Sequence, residues 1–135
     1  MASAGLSAFK PRILHTAYFV ADIERSLKFY RDVLGMQEQQ RFELGGGVHE
    51  VIMQFPDSKG AGVILMWNTE RTEPYQRGDS YSRLVMMVSD LDAALAHLTA
   101  NQVTLAKPVV DAGALRYCMI QDPDGYTIEV LQLKR

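Results

Sequence analysis

Apolar residues crowd the stretch from Ile13 to Val20. Beyond Asp22, the residues Ile23, Leu27, Tyr30 and Leu34 recur at three- and four-residue intervals. The first pattern predicts a strand. The second predicts a helix over 22–34, capped by Asp22 and stopped by Gly35. Apolar or alternating runs over 37–43, 48–55 and 62–68 predict three more strands, separated by Gly45, Gly46 and Gly47 and by the turn-rich segment 56–60. The succession then restarts. From Arg83 an apolar run leads to Asp90, with Leu91 and Leu95 where Ile23 and Leu27 stood. A helix over 91–101 and strands near Val103, over 115–121 and over 126–133 complete the second pass. The polar stretch 69–81, with Pro74 and Gly78, reads as the linker.

Each half is therefore βαβββ, and the fold class is α+β. Two βαβββ modules are expected to form a curved mixed sheet around a ligand cavity, paired across a homodimer. One helix covers only one face of a four-stranded sheet, so the other face needs a partner, and pairing two such faces leaves a cavity between them. With 135 residues the chain is expected to be a single domain, with module one at 12–68 and module two at 82–134.

Charge and composition narrow the partners. A net charge of -2 without a basic run speaks against nucleic acid and acidic membrane surfaces. No apolar run is long enough to span a bilayer, and residues 1–12 lack the centre of a secretory signal, so a cytoplasmic protein is expected. Cys118, the only cysteine, falls in a predicted strand and reads as a buried, inert thiol.

Several segments, in order, resemble the vicinal-oxygen-chelate superfamily, which includes glyoxalase I, bleomycin-binding proteins and extradiol dioxygenases. They are His15, the run from Asp22 to Tyr30, the run from Val33 to Met36, and Asp122 to Glu129. Within the superfamily the chain looks most like glyoxalase I, because Tyr75 to Arg83 is similar to the loop before that enzyme's second-module ligand. The resemblance implies four ligands on four strands, commonly His, Glu, His and Glu, around a divalent ion such as Zn, Ni, Co or Mn. His15 matches the first position and Glu129 the last. Leu65 falls at the second and Arg83 at the third, where a guanidinium cannot coordinate a cation. The expectation is no cofactor, or one weakly held divalent metal on His15 and Glu129, with the metal-free site favoured. His49 and Glu50 stand as alternative donors.

Strand alternation then suggests the walls of the cavity. His15 would face inward with Phe19, Leu65 with Trp67, Arg83 with Met87, and Glu129 with Thr127. Arg83, Trp67, Leu65, Phe19, Met87 and Tyr81 are the expected substrate contacts, and His15, Arg83 and Glu129 the expected catalytic groups. Arg83 would stabilise an enolate or carboxylate while Glu129 or His15 moves a proton. A small oxygenated compound with a carbonyl, carboxylate or enolate would suit a glyoxalase-I-like lyase or isomerase. The alternative is a drug-sequestering protein in which Arg83 and Glu129 are merely an ion pair. His97 reads as a helix-surface residue. Tyr75 and Tyr81 read as loop aromatics that cover a ligand or contact a second subunit.

Overall fold

The computed structural model describes residues 8–57 and 61–134. The segment read for a secretory signal and the turn 56–60 lie partly outside these residues. β1 (His15–Phe19) leads into α1 (Ile23–Lys28), which continues as a π-helical turn over Phe29–Val33. Then come β2 (Gln37–Gly45), β3 (Val48–Gln54) and β4 (Gly62–Asn68). The second half repeats the order with β5 (Leu84–Met87), α2 (Leu91–Ala100), β6 (Lys107–Asp111), β7 (Leu115–Gln121) and β8 (Thr127–Leu133). The two four-stranded sheets run β1-β4-β3-β2 and β5-β8-β7-β6. In each, the first strand is parallel to the last and the other pairings are antiparallel.

The helices start where the sequence places their caps. Asp22 accepts a hydrogen bond from Arg25 N at 3.1 Å, and Asp90 accepts one from Ala93 N at 3.0 Å. Each satisfies an amide that would otherwise be an orphan in the first helical turn. Replacing either by Ala is expected to cost about 1 kcal/mol, measured by urea unfolding. Gly35, at φ 79°, ends the first helical segment.

Two boundaries differ from the sequence reading. The segment over 22–34 is α-helical only to Lys28, after which Leu34 N bonds to Phe29 O at 3.2 Å in the wider π pattern. The strand expected near Val103 begins instead at Lys107. Val103 N is engaged by Leu98 O at 2.9 Å, finishing α2, so this amide closes a helix end and is not part of a ladder.

Each helix covers one face of its sheet. Val51, Met53, Val63 and Leu65 of module one and Cys118, Ile120, Ile128 and Val130 of module two are buried against the helices. Burial also raises the Cys118 thiol pKa, in keeping with an inert role.

The modules are joined by polar bonds at one end. Tyr18 donates to Tyr30 at 2.6 Å, Tyr30 donates to Asp122 Oδ2 at 2.7 Å, and Tyr126 donates to Phe19 O at 2.7 Å. Asp122 Oδ1 also accepts from Asp124 N and Tyr126 N, both at 2.9 Å, which makes it the organiser of the turn before β8. His97 packs at a module boundary, with Nε2 3.0 Å from Asp32 O. No helix among the described residues is long and apolar enough to cross a membrane.

Candidate functional site

Residues directly opposed in a ladder point to the same face of the sheet. His15 opposes Gly62, Ala17 opposes Ile64, and Phe19 opposes Met66. In the next ladder Ile52 opposes Ile64 and Glu50 opposes Met66, so these side chains extend the face that carries His15. The imidazole lies over Gly62. A Cβ there would be 3.1 Å from His15 Nδ1 and 2.3 Å from Met53 O. Nδ1 itself is buried without a hydrogen-bond partner among the described residues.

This register corrects the expected inward positions of Leu65 and Trp67. Leu65 opposes Tyr18 and Val51, is 0 % exposed, and packs in the helix-side core. Ile64 takes the place on the His15 face. Trp67 shares the face of Leu65 and stacks on His49, with centroids 5.1 Å apart and planes 13° from parallel. His49 therefore also points away from His15, whereas Glu50 points with it. The run from Val63 to Trp67 is apolar throughout and has no alternation to fix its facing, and a slip of one residue inverts every side chain.

The second face matches the sequence reading. Glu129 opposes Val85 and Met119, and Leu131 opposes Met87. Arg83, just before β5, reaches Glu129 Oε1 through Nε at 2.7 Å and donates from a terminal nitrogen to Ser82 Oγ at 3.1 Å. The Glu129 side chain is 9 % exposed and that of Arg83 42 %, so the pair is a buried carboxylate held by a guanidinium that still reaches solvent. Val85 and Met87 beside it are 51 % and 66 % exposed. Tyr81 donates to Thr127 O at 3.1 Å and meets the Tyr126 ring edge-on at 5.2 Å. These contacts tie the end of the linker to the start of β8.

The structure thus brings Arg83 and Glu129 together and places His15 on the other module's face. No hydrogen bond or ion pair joins His15 to either among the described residues. Residues 12–130 match the family described as the Glyoxalase/Bleomycin resistance protein/Dioxygenase superfamily. The chain belongs to that superfamily. A relative from Vibrio parahaemolyticus named "Probable lactoylglutathione lyase" is 34% identical over 130 residues, covering 92% of each chain. The lactoylglutathione lyase of Haemophilus influenzae is 31% identical over 126 residues, covering 91% of this chain and 93% of that one. Among solved structures, the trypanothione-dependent glyoxalase I of Leishmania major superposes with a TM-score of 0.78 at 27% identity, over 90% of this chain and 86% of that one.

The glyoxalase I resemblance implies a four-donor metal site, and the residues present at its second and third positions do not fit it. His15 and Glu129 are suitable donors, but Ile64 is apolar and Arg83 brings a positive charge to the carboxylate that would bind the ion. Within a single chain, no group of three or more His, Cys, Asp or Glu able to hold a metal occurs among the described residues.

Proposed function

We propose that the chain is a glyoxalase-I-like lyase or isomerase that moves a proton next to the carbonyl of a small oxygenated compound. The Arg83–Glu129 pair carries this reading, because it sets a cation and a proton-accepting carboxylate side by side at 2.7 Å on an apolar face. Only some of the five guanidinium N–H groups are engaged by Glu129 and Ser82. The others can stabilise the negative charge that develops on a substrate oxygen. Glu129 then takes the proton, or His15 does so from the opposing wall.

In this proposal the opposing wall belongs to a second copy of the chain, whose His15 face closes over Arg83 and Glu129. The exposed Val85 and Met87 are what that copy covers. Replacing both by Glu is expected to leave a folded monomer, read by sedimentation, and to abolish proton exchange.

The relatives' names make lactoylglutathione the first compound to try, and Ile64 and Arg83 argue for a diverged preference. The test is a panel of this thioester with aliphatic and aromatic α-hydroxyketones in D2O. Entry of deuterium beside the carbonyl, read by NMR, supports proton transfer. Saturable binding across the panel without exchange overturns it in favour of sequestration. That second reading draws on the same ion pair, since two groups that satisfy each other can be structural.

A further inference from the structure

Outside the proposed proton-transfer site, the end of β1, the linker and the turn before β8 enclose a recess of about 250 Å³. Phe19, Tyr75 and Tyr126 give it aromatic walls, and Arg25, Arg77 and Asp124 are its charged groups. Phe19 and Tyr75 stack with centroids 5.1 Å apart and planes 27° from parallel. The Tyr75 hydroxyl is buried and has no hydrogen-bond partner among the described residues. A buried hydroxyl without a partner is costly, so this donor favours any acceptor that reaches it.

Charge points the same way. The Asp124 carboxylate accepts from Ala21 N at 2.9 Å and Ser26 Oγ at 3.3 Å, and reaches Arg25 only at 3.5 Å. Arg77 makes no ion pair among the described residues and instead donates to the main-chain carbonyl of Asp124. Its guanidinium lies flat against Gly125, where an added Cβ would come within 3.1 Å of three guanidinium atoms. The turn thus orients this cation, which remains exposed to solvent. The lining sets two guanidiniums against one carboxylate, and beyond it stand Arg71, 4.3 Å from the Tyr75 ring centre, and, of opposite sign, the Asp122 carboxylate of the turn.

We infer that the recess binds a small aromatic carboxylate, its ring against Phe19, Tyr75 and Tyr126 and its carboxylate on Arg77 and Arg25. A guanidinium matches a carboxylate in shape and charge, and an aromatic wall adds stacking that a bare anion cannot use. Phe19 lies four residues along β1 from His15, about 13 Å away on the same face, so a variant at Arg83 is what separates occupancy of the recess from the proton-transfer reading.

The test is a calorimetric titration of the full chain with benzoate, with benzyl alcohol and inorganic phosphate as comparison probes. Benzoate is expected to bind saturably, one per chain, and at least tenfold more tightly than either comparison probe. Arg77→Gln is expected to weaken benzoate at least tenfold with an unchanged unfolding temperature. Arg77→Lys should recover part of the loss, and Arg83→Gln should leave the affinity as it was. Absence of saturable benzoate binding overturns the inference, as does an affinity indifferent to Arg77→Gln. Phosphate binding as tightly as benzoate overturns the aromatic part of it.

Discussion

Replacing Glu129 by Gln is expected to lower proton exchange by about 10²- to 10⁴-fold, the range that a positioned general base contributes. The shape of the side chain hardly changes, and its carbonyl oxygen can still accept from Arg83 Nε, as Oε1 does at 2.7 Å. What disappears is the oxygen able to take a proton. The variant should therefore fold and bind ligand with an affinity within about threefold of the parent, since the loss of turnover falls on the transition state. Arg83→Lys separates the other half of the pair. Lys retains a point charge but not the planar array of donors, so exchange should fall while the carboxylate keeps a cationic neighbour. Kinetics of deuterium entry, with affinity measured on the same preparations, check both outcomes. Undiminished exchange in Glu129→Gln removes Glu129 from the mechanism.

How far the sequence reveals this site depends on which physical signal each residue carries. Asp22, Asp90 and Gly35 are local signals, because a cap and a left-handed helix end involve only near neighbours, and all three stand where the pattern placed them. The facing of β5 and β8 was also legible, since Arg83, Val85 and Met87 alternate with residues turned toward the core, and Glu129 opposes Val85 as that alternation requires. β4 gave no such signal. Each residue from Val63 to Trp67 is apolar, and its facing is set by the ladder with β1, which places Ile64 and not Leu65 beside Ala17. Asn68, the first polar residue after that run, offered a hint, since it shares a face with Ile64 and Met66. The Arg77 recess was beyond local reading altogether. It draws on β1, α1, the linker and the turn at Asp124, and no one of these segments carries a ligand motif. Tyr75 was visible as a loop aromatic, but its stack on Phe19 is a tertiary fact.

The same long reach makes Tyr30 a sensitive structural position outside the two faces. Tyr30→Phe is expected to destabilise the fold by about 3 kcal/mol at neutral pH, combining the loss of a hydrogen bond to a carboxylate with two polar groups left unpaired. Tyr18 loses its acceptor and Asp122 Oδ2 its donor, while Asp122 Oδ1 keeps its two backbone amides, and the bond to Asp122 links residues 92 positions apart in the two modules. For a chain of 135 residues this corresponds to a fall in unfolding temperature of roughly 10 °C. The pH dependence gives the effect a signature. Burial raises the Asp122 carboxyl pKa above the usual carboxylate range, and the Tyr30 hydrogen bond opposes that rise by favouring the charged form. The raised group taken alone favours the folded state on the acid side, and that contribution is lost as pH rises through its folded pKa. The Tyr30 bond acts in the opposite sense, being fully present above that pKa and lost as pH falls through it. The gap between parent and Tyr30→Phe should therefore be widest at pH 7 and narrow as the pH is lowered toward about 4, the ordinary range of an aspartate. Circular-dichroism melts of both proteins across that interval provide the measurement. A gap that stays constant with pH would mean that the Tyr30 hydroxyl contributes through its bond with Tyr18, and that the modules do not rely on a charged Asp122 to stay joined.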